Sequence, residues 1–215
     1  MKSFSQYSID KMVYAAEPKP KHQKRIEEIE EYKYLNCTSL DAPVMVCPPN
    51  SSIDTISELQ LIKLHRSTCI EPKELEDMYD DDFDWAFEKL CVDNGLEYDK
   101  TYFKKLMKEC ARITIRLKYR FNRPRPYQLA PVLGVDILVE GSETAKTPSF
   151  PSGHSMQAMT QALVIGKMYP DLSEKAIKLA EDVSMSRIVG GHHYPSDIEY
   201  GEFLGKWLAQ HVSIS

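Results

Sequence analysis

Apolar residues recur at spacings of three and four along much of the second half of the chain, and that period predicts helices. Leu106, Cys110, Ile113 and Leu117 line one face of a helix opening at Tyr98 or Asp99 and running to about Arg120. It must stop near Phe121, because Pro124 and Pro126 follow. Ser152 to Met168 carries Met156, Met159, Ala162 or Leu163, and Ile165 or Gly166 in its apolar rows, and Pro170 ends it. Asp171, with Glu174 three residues on, reads as a capping box for a helix through about Ile188, which Gly190 and Gly191 break. Pro195 falls in the first turn of a last helix reaching about Val212, with Ile198, Phe203, Leu204, Trp207 and Leu208 available for the core.

The first half is less regular. Between Pro20 and the loop marked by Pro43, Pro48 and Pro49, the run His22 to Leu35 has weak helical periodicity through Ile26 and Ile29. Ser51 or Ser52 caps a helix from Ile53 to about Arg66, with Ile56, Leu59 and Ile62 on its apolar face. Asp80, Asp81, Asp82 and Asp84 surround Phe83. They invite a metal reading but lack the glycine turn and distal glutamate of a calcium loop. They read instead as the acidic first turn of a helix facing inward through Phe83, Phe87 and Leu90. Residues 127–150 show no helical pattern and read as a long loop, with a short extended piece from Asp136 to Glu140. There is no internal repeat, and the pattern as a whole predicts an all-α, single-domain helical bundle over residues 1–215.

Composition narrows the class. Hydrophobic residues at 42% and charged residues at 27% fit a globular chain. A net charge of -5 argues against a nucleic-acid partner, which usually meets a basic footprint. No apolar run approaches membrane-spanning length, and Met1 to Asp10 lacks the apolar core of a secretory signal. Cys37, Cys47, Cys69, Cys91 and Cys110 are odd in number and form no CxxC pair, so a reduced, cytoplasmic setting is expected. The alternative is a mature chain whose signal has been removed.

Candidate chemistry gathers at helix ends in the second half. Lys118, Arg120, Arg123 and Arg125 lie within nine residues where a helix breaks. Arginine grips phosphate oxygens in a planar fork and lysine adds a compact charge, although basic helix ends are also common for dipole reasons alone. Pro151-Ser152-Gly153-His154 opens a helix, where free N–H groups, a hydroxyl and a glycine admit a tetrahedral anion. An ordinary serine cap beside a surface histidine is the plainer account. The third group is Ser186-Arg187, Gly190-Gly191-His192-His193 and Asp197. Asp197, four residues past His193, can reach an imidazole nitrogen and fix its tautomer. His192 has only Ser196 at that spacing, a poorer orienter, which favours His193. Together the three groups are a parts list for holding a phosphate, attacking it and protonating a leaving group.

Lys118, six residues, Arg125-Pro126; then Pro151-Ser152-Gly153-His154; then Ser186-Arg187, five residues, His193, three residues, Asp197: this ordered series resembles the three signatures of the phosphatidic acid phosphatase type 2 superfamily. The stretches SFPSGH and SRIVGGHHYPSD look most like the nonspecific acid phosphatases of bacteria. The resemblance implies an all-α catalytic core over 98–212, preceded by a helical part, 1–97, with no assignable motif. It implies that Lys118, Arg125, Arg187, Ser152 and the Gly153 N–H hold a phosphomonoester. His193 would attack phosphorus to give a phosphohistidine, Asp197 would orient it, and His154 would serve as acid and then base. Hydrolysis of a small-molecule phosphomonoester without metal or other cofactor, with a bell-shaped pH profile, is the expected activity. Vanadate would bind as a phosphate mimic, or as the cofactor if the chain were instead a vanadium-dependent haloperoxidase. A protein that binds a phosphorylated ligand without turnover is the remaining alternative. The physiological substrate is not legible, and a homo-oligomer is left open.

Overall fold

Two glycines one turn apart decide how the centre of this computed structural model is assembled. The structure describes residues 4–137, 139 and 145–213. Its helices are α1 (Phe4–Asp10), α2 (Pro20–Glu27), α3 (Ile53–Thr68), α4 (Pro72–Asp80), α5 (Asp84–Asp93), α6 (Lys100–Phe121), α7 (Pro126–Leu129), α8 (Gly153–Met168), α9 (Ser173–Val189) and α10 (Pro195–Gln210). A single 3-10 turn, Pro170–Leu172, joins α8 to α9. The fold is all-α, and no strand runs among the described residues. A lone antiparallel bridge pairs Leu35 with Val212. No helix there is long and apolar enough to cross a membrane.

Helix α8 is the central element and packs against α10, α9 and α6. Gly201 and Gly205 lie on the face of α10 toward α8. A Cβ on Gly201 would stand 2.6 Å from the Ser152 carbonyl oxygen, and one on Gly205 would stand 2.7 Å from that of Met156. Only glycine permits this approach. It lets the Ser152 N–H reach the Asp197 carbonyl at 2.8 Å, which ties the start of α8 to the start of α10. The main core lies around this pair, with Phe87, Phe103, Leu106, Cys110, Ile113, Met156, Ile165, Leu204 and Leu208 all buried. A smaller apolar cluster of Leu59, Ile62, Leu129, Ile188, Tyr194 and Ile198 fixes α3 beneath the loop between α9 and α10.

Several boundaries follow the expected physics. Ser52 caps α3 by accepting from the Thr55 N–H at 3.1 Å, and Asp99 caps α6 by accepting from that of Tyr102 at 2.9 Å. Helix α6 ends at Asn122, which is left-handed with φ 52°. Others differ. Helix α2 stops at Glu27, well before Leu35, because arginines of α6 capture the carbonyls that would continue it. Arg112 donates to Ile29 O and Glu31 O, Arg116 donates to Glu28 O, and Glu109 accepts from the N–H groups of Lys33 and Tyr34. Ile29 is 79% exposed, so the weak period there was not a buried face. Helices α1, α4 and α7 were not expected. The Asp171–Glu174 capping box does not form: Asp171 sits in the 3-10 turn, and α9 begins at Ser173 without a side-chain cap. Phe203, expected in the core, is 43% exposed. The aspartate group does not open one helix. Asp80 ends α4 and only Asp84 enters α5. Of the extended piece expected from Asp136 to Glu140, Leu138 and Glu140 lie outside the described residues.

Candidate active site

His193 sits just before α10 with its two ring nitrogens in different chemical company. Nδ1 donates to Asp197 Oδ2 at 3.0 Å, and Arg125 Nη1 donates to Nε2 at 3.0 Å. A carboxylate only accepts and a guanidinium only donates, so the tautomer is fixed with the proton on Nδ1 and a lone pair on Nε2. Burial, reinforced by the charges of Arg125 and Lys118, holds the His193 pKa well below its ordinary value, so the ring is neutral.

Asp197 is held from every side. Besides His193, its Oδ2 accepts from the Tyr194 N–H at 2.9 Å and from the Ser149 hydroxyl, while Oδ1 accepts from Arg123 Nη1 at 2.7 Å. Arg123 is itself buried. It reaches Ser196 Oγ at 2.8 Å and Glu58 Oε2 at 3.0 Å, and its guanidinium lies 3.8 Å from the centroid of the Tyr194 ring. Glu58, on α3, also accepts from the Ser196 N–H at 2.6 Å. Asp197, Arg123 and Glu58 therefore form a buried charge network, with donors satisfying the carboxylate oxygens.

Beside His193 lies a cavity of about 170 Å³ whose wall includes Lys118, Arg125, Gly153, His154 and His193. Lys118 projects from the last turn of α6 and gives two N–H groups to Pro148 O and Ser149 O at 2.8 and 3.1 Å, leaving the third for a ligand. Burial and then Arg125 push its pKa well below the ordinary value. Arg125 is braced by Thr147 O at 2.7 Å and His192 O at 2.7 Å. Burial, with Arg187 adding to it, brings Arg125 down to about 10. Two neighbouring cations so depressed by burial mark a place where an anion would relieve both desolvation and repulsion.

His154, in the first turn of α8, donates from Nε2 to the Asp80 carbonyl at 2.9 Å. Burial and the charge of Arg187 push it down to about 3. Arg187 does not line the cavity. Its Nη2 pairs with Asp80 Oδ1 at 2.7 Å behind the wall, so its charge acts on the cavity through a short thickness of protein. Ser152 is likewise fully buried, its hydroxyl accepting from the Ser155 N–H at 3.3 Å and from the Ser155 hydroxyl at 2.9 Å as the cap of α8. The site residues expected from the sequence thus lie together, with Lys118, Arg125, Gly153, His154 and His193 on the cavity and Ser152, Arg187 and Asp197 in the layer behind it.

The residues that sequence spacing missed are the partners. Arg123 was visible as a cation, but not as the residue that holds Asp197. Glu58 and Asp80 come from 138 and 107 positions away from Ser196 and Arg187, respectively. His192 is not paired with Ser196. Its Nε2 donates to Glu76 Oε1 of α4 at 2.8 Å, a neutral imidazole against a carboxylate, which turns it away from the cavity. Glu76 lies 116 positions before His192 and is buried by packing, so no local spacing in the sequence pointed to the pair.

An all-α bundle with a cationic, histidine-bearing cavity at the meeting point of α6, α8 and α10 defines the class. The model of the PAP2 superfamily matches residues 108–214, and through this C-terminal half the chain belongs to that superfamily. A non-specific acid phosphatase from Providencia stuartii is 28% identical over 82 residues, covering 38% of this chain and 33% of the relative. One from Salmonella typhimurium is 30% identical over 60 residues, covering 28% and 24%. The matched stretches therefore span about a third or less of those relatives. Among solved structures, a bacterial vanadium-dependent iodoperoxidase has the same fold, with a TM-score of 0.55 at 16% identity over 80% of this chain and 51% of the other.

Proposed function

We propose that the protein is a phosphohydrolase that cleaves a phosphomonoester through a phosphohistidine on His193. The observation that carries this reading is the division of His193 between Asp197 and Arg125 at the wall of a cationic cavity. A group that only binds phosphate has no need of a neutral imidazole with a fixed tautomer.

In the proposed reaction the phosphoryl oxygens take the N–H donors of Arg125 and Lys118, which draws Arg125 off His193 Nε2. Nε2 then attacks phosphorus, the N–P bond forms and the ester P–O bond breaks. Asp197 stabilises the positive charge that develops on the ring. The leaving oxygen takes a proton from His154. With Nε2–H committed to the Asp80 carbonyl, Nδ1 is the nitrogen that exchanges it. An arriving phosphate dianion raises the depressed pKa of His154, so substrate binding itself loads the acid. Water, deprotonated by His154, then attacks the phosphohistidine and returns His193 and inorganic phosphate. Lys118 and Arg125, backed by Arg187, neutralise the charge on the phosphoryl oxygens.

Hydrolysis of p-nitrophenyl phosphate in EDTA, measured beside His193→Ala, tests the reading. Expected are turnover by the unaltered protein, loss of roughly 10³-fold or more in the variant, and competitive inhibition by orthovanadate. Equal rates in both proteins would sink the assignment of His193.

A further inference from the structure

A groove of about 600 Å³ runs between α2 and α6 and meets the phosphate cavity at Arg25, which lines both. Its walls are two cationic stripes. Lys21, Lys24 and Arg25 fall at spacings of three and four on α2, and Lys105, Lys108 and Arg112 do so on α6, so each set shares a helix face. With Lys33 the groove has seven cations against two carboxylates, Glu28 and Glu109, in a chain whose net charge is -5.

Both carboxylates are engaged. Glu28 lies 3.9 Å from Lys24 and 3.6 Å from Arg112. Glu109 accepts from the N–H groups of Lys33 and Tyr34 at 2.8 and 2.9 Å. Lys21, Arg25, Lys105 and Lys108 make no ion pair with a described residue. Two helices that present like charges to each other across a groove raise each other's electrostatic energy unless an anion lies between them. The other opening of the cavity, past His154 and Gln157, is faced by Asp81, Asp82 and Asp84 beside Lys100 and Lys104. An anionic substrate body is therefore drawn toward α2 and α6 rather than toward the aspartates.

We infer that the substrate carries at least one further phosphate or comparably charged group, which lies in the α2–α6 groove while the reacting phosphate occupies the His193 cavity. This rests on the phosphohydrolase reading and names its substrate class. Arg25 sits between the two anionic groups. The lysines supply affinity that a single phosphate cannot use, and the gain weakens with salt.

The test compares fructose 1,6-bisphosphate with fructose 6-phosphate by released phosphate, in the unaltered protein, Lys105→Gln/Lys108→Gln and Lys105→Arg/Lys108→Arg. The expected kcat/KM ratio favours the bisphosphate by at least about tenfold at low salt, taking roughly fivefold for each contact at water-like dielectric. It collapses toward the statistical factor of about two in the glutamine variant or in 0.5 M NaCl, an added salt that shrinks the screening length to a few ångströms, and returns in the arginine variant. A ratio of about two in the unaltered protein, or one that the glutamine variant does not change, overturns the inference. If neither sugar is hydrolysed, calorimetric binding decides. Tighter binding of the bisphosphate, lost in the glutamine variant, retains the groove while the phosphohydrolase reading fails. Equal or absent binding overturns the groove.

Discussion

The C-terminal half, through α6, α8 and the segments leading into α7 and α10, supplies most of the cavity's lining, whereas α3 and α4 of the N-terminal half pair with the charged and polar side chains behind it. Lys118, Arg125, His154 and His193 belong to the first group. Glu58 binds Arg123, Glu76 binds His192 and Asp80 binds Arg187, all from the second. The first region gathers two cations and two histidines around one cavity. The second keeps three charged or polar side chains at fixed positions in an interior where unpaired they would be expensive. Helices α3 and α4, which carry no motif, thus belong to the site's electrostatics without lining the cavity.

Removing a contact inside the C-terminal region should give the largest loss. Asp197→Asn keeps the shape but can present an N–H to His193 Nδ1, which favours the wrong tautomer. The expected loss is roughly 10³–10⁴-fold in kcat, with KM for p-nitrophenyl phosphate little changed. A loss confined to KM would mean that Asp197 is not His193's orienter.

Next comes the seam between the regions. Arg123→Met leaves Asp197 and Glu58 buried without their cation. An expected 3–5 kcal/mol of stability is lost, as for other broken buried pairs, measured by urea denaturation. Stability alone would not establish positioning, so the pH profile is the decisive readout. An uncompensated Asp197 favours protonated His193, and the acid limb of kcat/KM should move to higher pH. An unmoved limb would reduce Arg123 to a packing role. Gly201→Ala tests the same seam from the backbone. Its methyl must displace the Ser152 carbonyl, costing about 1–3 kcal/mol as overpacking does. Unchanged thermal stability would contradict the close α8–α10 approach.

The histidines give a pH test of the whole molecule. His154 is down at about 3 and His22 at about 4, both chiefly from burial, and His192 and His193 are lowered too. These groups bind protons more readily unfolded, near pH 6.5, than folded. Their contribution is intact above that pH and is lost as pH falls through the folded values. Each histidine in that window adds a slope of about 1.4 kcal/mol per pH unit. Thermal scans from pH 8 to pH 4 should show Tm falling below about pH 6.5. A Tm that rises on acidification would refute the neutral, buried assignment.

Legibility followed the same division between regions. Leu106, Cys110, Ile113 and Leu117 repeat at helical spacing and are buried as expected, because a local period reports one face of one helix. The His193–Asp197 pair was legible for the same reason, four residues across a helix start. Glu58, Glu76 and Asp80 were not, since their partners lie 65 to 138 positions away and only packing brings them near. The loss of helix after Glu27 was invisible too. It depends on Arg112 and Arg116, more than eighty residues on, taking carbonyls that the sequence would have assigned to the helix. Ser152 and Arg187 lie one layer behind the cavity surface on which the resemblance would have put them.

The smallest expected effect on activity separates the adjacent histidines. His192 packs over Gly190, where a Cβ would stand 2.7 Å from its ring, and it reaches Glu76 rather than the cavity. His192→Gln keeps a donor for Glu76 and leaves the His192 carbonyl, which receives Arg125, in place. Its kcat/KM for p-nitrophenyl phosphate should stay within roughly threefold, while stability falls by about 1–3 kcal/mol if the replacement leaves Glu76 poorly satisfied. His193→Gln, one residue on, should be inactive and nearly as stable. If the two variants exchanged these phenotypes, the nucleophile would be His192, and the α4 carboxylate Glu76 would be its orienter. The N-terminal half would then have moved from supporting the site to performing part of its chemistry.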